Sequence, residues 1–160
     1  LPLRYILGYQ FLNLFNLAHY ANPLSRNALI RKNEWDTKED AYNYFTNKKL
    51  FSKVSEEVLN DYVNYSLKND KNNKFILKCS PKWESACFKL TTAEVWANLQ
   101  SLNMPIKIIL TPNSLVCNKI TQKKIKDSIP QTKIVFIKNT THMLPFEATD
   151  EVSEEINNFL

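Results

Sequence analysis

His142 is the residue whose sequence neighbours most clearly indicate chemistry. The β-branched and aromatic run at 133–137 predicts a buried strand, and Asn139–Thr141 end that run. The segment Asp150–Leu160 then predicts an amphipathic helix with its apolar side chains on one stripe. In open α/β sheets, reactive groups collect on the loops that follow strand ends. The pattern therefore favours a functional histidine, and the alternative is an exposed loop histidine without a role.

The other reactive side chains do not form a recognisable site. The three cysteines, Cys79, Cys87 and Cys117, are odd in number and lack metal-ligand spacing, which predicts reduced thiols in an intracellular protein. His19 lies in an apolar first segment, which favours a packed residue. No set of His, Cys, Asp and Glu residues has the spacing of a zinc site, so we expect neither a metal nor a cofactor.

The charge and hydropathy patterns exclude several classes of function. The net charge is +5, but the basic residues are scattered along the chain. The densest basic cluster, Lys123–Lys126, is followed by Asp127 and predicts a solvated helix face, not a nucleic-acid site. No apolar run reaches about 18 residues, so we expect no transmembrane helix. The first residues do not resemble a signal peptide, and we expect a cytoplasmic protein, with an organelle still open.

Glycine is scarce, and this restricts the possible catalytic motifs. Gly8 is the only glycine in the chain, whereas an average usage of about 7% would give roughly ten. A dinucleotide-binding G-x-G-x-x-G, a P-loop and a G-x-S-x-G nucleophile elbow are therefore all impossible within these residues. Either the chemistry needs no such turn, or the glycine-rich part of the fold lies outside this chain.

The order of predicted elements indicates an α/β fold. The apolar patterns of residues 1–72 predict mainly helices. Strand-like runs follow at 74–78, 105–110 and 134–137, and the segments between them have helical patterns. Strands that alternate with helices predict about three parallel strands joined by crossover helices. We therefore predict a helical region at 1–72 and a region of strand–helix units at 73–160. Within them, Asp36 and Asp150 are predicted to cap helices, and residues 81–85 are predicted to form a loop. Glu147 is predicted to accept backbone N–H groups in the histidine loop or at the start of the last helix.

The segments Leu77–Ala86, Met104–Leu110 and Thr141–Asp150 together resemble the C-terminal half of the α/β-hydrolase fold, in an esterase-like or lipase-like branch. The segments Leu77–Ala86 and Met104–Leu110 resemble the exit of the sixth strand and the seventh strand of that family. Thr141–Asp150 resembles the family segment around its catalytic histidine, with Thr141 where the family prefers Gly. The helical first half resembles the family cap at a set of repeated positions: Arg31, Trp35, Ala41, Phe51, Tyr62 and Val63.

The resemblance implies roles for two residues. His142 would be the general base that takes a proton from a serine and returns it to the leaving group. The exit of the seventh strand, Thr111–Ser114, holds no carboxylate, and Asn113 could orient the ring without offsetting its charge. Glu84, after the sixth strand, is therefore the predicted acid of the triad, and the alternative is a surface glutamate near a helix start. The nucleophile half of the family fold is absent from these residues.

The resemblance further implies serine-type hydrolysis of apolar acyl or small esters by acyl transfer, since four apolar side chains could line the cap: Leu14, Phe15, Tyr42 and Phe45. This chain would supply the cap, the acid and the catalytic histidine, and its missing N-terminal half would supply the nucleophile. A first alternative is a truncated or inactive hydrolase-fold fragment that does not catalyse a reaction by itself. A second is a small interaction domain that uses the helical first half. We expect no nucleic-acid partner and no membrane span.

Overall fold

The computed structural model describes residues 8, 11–12, 22–89, 98–99, 101–114 and 117–160. His19 and most of the apolar first segment lie outside these ranges. The chain divides into two compact units, the first formed by Leu1–Ala41 with Tyr62–Val95 and the second by Tyr42–Asp61 with Trp96–Leu160. Each unit thus consists of two separate segments of the sequence. The division into a cap region at 1–72 and a core region at 73–160 stays a prediction.

The described helices and strands alternate along most of the chain. In order they are α1 (Pro23–Ile30), β1 (Glu34–Trp35), α2 (Lys38–Thr46), a 3₁₀ turn (Lys49–Phe51), α3 (Glu56–Ser66), β2 (Leu67–Asn69), β3 (Phe75–Leu77), α4 (Pro81–Lys89), β4 (Ile106–Leu110), α5 (Lys119–Ser128), β5 (Thr132–Phe136), α6 (Leu144–Glu147) and α7 (Thr149–Asn157). None of the helices in these ranges is long and apolar enough to cross a membrane.

Two helices pack closely in the first unit. Asn22 caps α1, because its side-chain oxygen accepts hydrogen bonds from the backbone N–H groups of Leu24 and Ser25 at 3.0 and 3.4 Å. Ser25 then meets Ser85 of α4 across the helix contact, with 2.7 Å between the two buried hydroxyl oxygens. Small side chains at this contact allow the two helices to approach, and the hydroxyls satisfy each other.

The first unit also holds a small antiparallel sheet, which corrects one prediction. Its strand order is β1-β3-β2, and β3 pairs antiparallel with both neighbours. The turn between β2 and β3 is closed by Asp70, whose side chain accepts the backbone N–H groups of Asn72 and Lys74. Asn73 adopts φ 58° in this turn. A parallel pair would need a crossover connection that this short turn does not provide, so β3 is not the third parallel strand.

The second unit contains the parallel strand pair that the sequence predicted. Strand β4 pairs with β5 in register from Ile106 opposite Thr132 to Leu110 opposite Phe136. Helix α5 connects them as a crossover, and Asn118 caps it by accepting the N–H of Thr121 at 3.0 Å. The two strands and their helix form the strand–helix–strand unit expected from the alternating pattern.

One face of this parallel pair is covered by the C-terminal helices. Ile137, Leu144 and Ala148 form a buried cluster, against which Ile109 and Val152 pack. The chain therefore turns back after β5 and buries the start of α6 and α7 on the sheet. This packing fixes both ends of the loop that carries His142.

Three local predictions differ from the structure. Helix α2 is capped by Thr37, not Asp36, since Thr37 Oγ1 accepts the N–H of Asp40 and the Asp40 carboxylate accepts from Thr37 in return. Helix α7 begins at Thr149, so Asp150 lies in its first turn and does not cap it. Helix α4 covers residues 81–85, which the sequence suggested were a loop, because Pro81 starts it.

Candidate active site

His142 lies on the loop between β5 and α6, with its side chain exposed. The loop leaves the sheet after Ile137, whose N–H still bonds to the carbonyl of Leu110 at 3.0 Å. Asn139 then turns the chain with φ 60°, a left-handed conformation that asparagine adopts more readily than most residues. The imidazole is thus at the carboxyl end of a parallel strand, where the sequence predicted it.

A carboxylate next to the histidine holds this loop. The two carboxylate oxygens of Glu147 accept from the backbone N–H and the hydroxyl of Thr141, each at 2.5 Å. Met143 donates its N–H to the Thr141 hydroxyl at 3.4 Å. Glu147 was predicted to accept backbone N–H groups in the histidine loop or at the start of the last helix, and the structure has the first arrangement. The Glu147 carboxylate thus orders the loop at Thr141, and the Thr141 hydroxyl extends the contact to Met143 beyond His142.

Two further contacts connect the loop to the rest of the second unit. Thr111, buried at the end of β4, donates its hydroxyl to the carbonyl of Thr140 at 2.7 Å. Lys53 donates to the carbonyl of Asn139 at 2.7 Å. The histidine loop is therefore attached to the exit of β4 and to the segment after the 3₁₀ turn, while the imidazole stays accessible to a reacting group.

The exit loop of β4 does not supply an acid to this arrangement. The loop Thr111–Ser114 is closed by a bond from the Ser114 N–H to the Thr111 carbonyl at 3.2 Å, and Asn113 is exposed. Its residues offer hydroxyl and amide groups only. The carboxylate partner that the sequence predicted for His142 is therefore not in this loop.

Glu84, the predicted acid, lies in the first turn of α4 and forms an ion pair with Arg31. The same Arg31 nitrogen donates to the carbonyl of Cys79 at 3.2 Å. The Arg31 and Glu84 side chains are only 26% and 30% exposed. Burial raises the pKa of the neighbouring Tyr62 phenol above its ordinary value, and the positive charge of Arg31 opposes that rise. Glu84 thus belongs to a polar cluster in the first unit.

No family model and no curated protein matches the chain, but several solved structures do. The peroxisomal α/β-hydrolase Lpx1 from Saccharomyces cerevisiae is similar over 85% of this chain, with a TM-score of 0.71 and 15% identity. E-2-(acetamidomethylene)succinate hydrolase is similar over 85% of the chain, with a TM-score of 0.68 and 9% identity. An esterase from Mycobacterium tuberculosis is similar over 92% of the chain, with a TM-score of 0.61 and 10% identity. The chain has an α/β-hydrolase fold.

This α/β-hydrolase fold is only partly present in the chain. The chain spans 38% of the length of Lpx1, 50% of the succinate hydrolase and 56% of the esterase. The fold suggested by the sequence segments is thus confirmed. At these identities the likeness concerns architecture, so the roles of individual residues depend on the local geometry.

The two predicted catalytic residues lie in different units of this hydrolase fold. His142 belongs to the second unit and Glu84 to the first. The prediction for Glu84 was based on β3 as a parallel strand of the central sheet, and β3 is antiparallel. Their pairing stays a prediction. No sequence pattern indicated the contact between Glu84 and Arg31, although Arg31 was among the positions that resembled the family cap.

Proposed function

We propose that this chain supplies the general-base histidine and the cap of a serine-type ester hydrolase. The observation that carries the proposal is the setting of His142 on an exposed loop after a parallel strand, with Glu147 bonded to Thr141 and the Thr141 hydroxyl bonded to the Met143 N–H. A ring that is accessible on an ordered loop suits a base that must meet its nucleophile in a fixed geometry. The α/β-hydrolase fold of the chain is consistent with this chemistry.

In the proposed mechanism, His142 accepts the proton of a serine hydroxyl as its oxygen attacks the ester carbonyl. The resulting imidazolium then protonates the departing alkoxide, and an acyl-enzyme is left. Water, deprotonated by the same histidine, releases the acid and regenerates the serine. The serine belongs to the N-terminal half of the fold, which lies outside these residues as part of the same protein or as a separate partner chain.

Glu84 is the proposed partner that orients the imidazole and stabilises its charged form. The ion pair with Arg31 uses Oε2 of the carboxylate, so Oε1 can accept a second donor. The competing explanation is that the carboxylate serves only Arg31 and holds α4 to the end of α1. The two explanations make different predictions for Glu84→Gln, because only the first changes the pH dependence of hydrolysis.

We propose small esters with an apolar acyl group as substrates, in an intracellular compartment. Of the four residues expected to line an apolar cap, Leu14 and Phe15 lie outside the described residues. Tyr42 is half-buried, whereas Phe45 is buried and packs on Phe51 with 5.3 Å between the ring centroids. Phe45 is therefore a core residue, and Tyr42 remains a candidate for acyl contact.

The test is hydrolysis of p-nitrophenyl esters by the natural protein, including any sequence that precedes Leu1. The His142→Ala variant should lose at least about 10³-fold in kcat, since removing a triad histidine removes most of the covalent catalysis. His19→Ala is the matched control, because His19 is the only other histidine. Equal rates for His142→Ala and the unaltered protein would contradict the proposal.

A second candidate is a hydrolase-fold protein that does not catalyse a reaction. The ion pair of Glu84 with Arg31 favours it, since a carboxylate held by a guanidinium already has a structural role. A fluorophosphonate probe, which forms a covalent adduct with activated serines, distinguishes the two candidates. Labelling of the natural protein, alone or together with a partner chain, supports catalysis. No labelling under either condition supports the inactive protein.

A further inference from the structure

We propose that a groove between α5 and β5 binds a fatty acid, through its carboxylate and its acyl chain. The groove has a volume of about 350 Å³, which is within the usual range of small-molecule sites, about 300–1,000 Å³. Both of its walls belong to the second unit. The proposal does not depend on the proposed hydrolysis.

One wall of the groove is a row of long polar side chains on α5. Lys119, Gln122, Lys123 and Lys126 line it together with Asp127, and the spacing of three and four residues places the first four on one face of the helix. Lys123 pairs with Asp127 at 2.6 Å, so these two charges offset each other. Across the described ranges, no carboxylate forms an ion pair with Lys119 or Lys126. Two ammonium groups thus remain for an anion.

The other wall is apolar. Ile134 and Phe136 of β5 line it, two residues apart and hence on the same face of the strand. Phe136 is 44% exposed although it belongs to a sheet strand. An exposed aromatic ring next to ammonium groups fits a ligand that is apolar along its length and anionic at one end.

The combination of walls selects one class of ligand. An inorganic anion would use the lysines and leave the Phe136 ring in water, and a neutral hydrocarbon would leave the ammonium groups without a partner. A single carboxylate on an unbranched chain satisfies both walls. The solvated helix face predicted from Lys123–Lys126 explains the lysines, but it does not explain the apolar surface facing them.

Titration calorimetry with dodecanoate tests the proposal directly. Dodecanoate should bind at a single saturable site. Acetate lacks the acyl chain and should bind at least about tenfold more weakly, since a few lost buried methylenes have that effect. Dodecyltrimethylammonium reverses the charge and should also bind at least about tenfold more weakly, since it loses a charged hydrogen bond. Equal binding of either control ligand would overturn the proposal.

Two pairs of lysine substitutions locate the site. Lys119→Gln combined with Lys126→Gln should weaken dodecanoate binding at least about tenfold. Lys133→Gln combined with Lys138→Gln removes the same charge from exposed positions outside the groove and should leave the affinity within about twofold. Phe136→Ala should weaken dodecanoate binding without changing that of acetate. Equal losses in the two lysine pairs would show a general charge effect and overturn the assignment.

Discussion

The loop of His142 and the cluster around Glu84 use their polar groups in opposite ways. Around His142, the ordering bonds are made by Glu147, Thr111 and Lys53 to the backbone, and the imidazole itself stays exposed. Around Glu84, the carboxylate itself makes the ordering contact, with Arg31. The His142 side chain is thus left accessible, whereas the Glu84 side chain already makes a structural contact.

The largest effect on stability should come from the packing that holds the histidine loop. Leu144 is 7% exposed and lies in the cluster with Ile137 and Ala148. Leu144→Ala should lower the free energy of unfolding by about 2–4 kcal/mol, because it removes buried apolar contacts and leaves a cavity. Urea unfolding checks this value, and Leu160→Ala, at a 96% exposed position, is the control. A loss below about 1 kcal/mol would mean that the C-terminal helices do not stabilise the second unit.

A smaller effect should follow from breaking the ion pair in the first unit. Arg31→Met keeps most of the aliphatic stem but leaves the Glu84 carboxylate without its partner. Because both side chains are partly exposed, we expect a loss of about 1–2 kcal/mol, between the values of exposed and buried pairs. A double-mutant cycle compares the loss of unfolding free energy caused by Arg31→Met in the unaltered protein and in Glu84→Gln. The loss should be smaller in Glu84→Gln, because the carboxylate is already absent. Additive losses would show that the two side chains do not stabilise each other.

These two regions also show what the sequence could and could not predict. The parallel pair β4 and β5, and the histidine loop after it, followed from β-branched runs alternating with helical patterns. The short apolar run of β3 would be the same in a parallel and in an antiparallel sheet, so the run does not predict the direction of the partner strand. The Asp70 turn determines the antiparallel pairing with β2. The contact of Glu84 with Arg31 joins distant parts of the sequence, and composition does not encode it. The bond from Thr111 to Thr140 is of the same kind.

A third prediction concerns the order of the histidine loop. Glu147→Gln keeps the size of the side chain but replaces the carboxylate that accepts twice from Thr141. We expect a loss of about 1 kcal/mol in stability, and faster hydrogen exchange of the loop amides measured by NMR. Glu154→Gln, on the exposed surface of α7, is the matched control. Unchanged exchange rates in Glu147→Gln would show that this carboxylate does not order the loop.

The smallest predicted effect is a pH dependence in the first unit. The pKa of Tyr62 is raised in the folded protein, chiefly by burial. The unfolded chain therefore releases this proton at a lower pH than the folded protein. Stability should decline as the pH rises through and above the ordinary tyrosine pKa of about 10. Tyr62→Phe should remove this contribution, so the unfolding temperature of the variant should fall less steeply between pH 9 and pH 11. If the unfolding temperatures of both proteins fall with the same slope, the prediction is contradicted.

The most direct test of the proposed relay is whether His142 and Glu84 act as one unit in catalysis. The measurement is kcat/KM for p-nitrophenyl ester hydrolysis by His142→Ala, Glu84→Gln and the double variant, in the natural protein. Groups that share one mechanism are not additive, so the double variant should be no slower than His142→Ala alone. If the two losses multiply instead, Glu84 acts apart from the histidine, and the proposed relay between them is wrong.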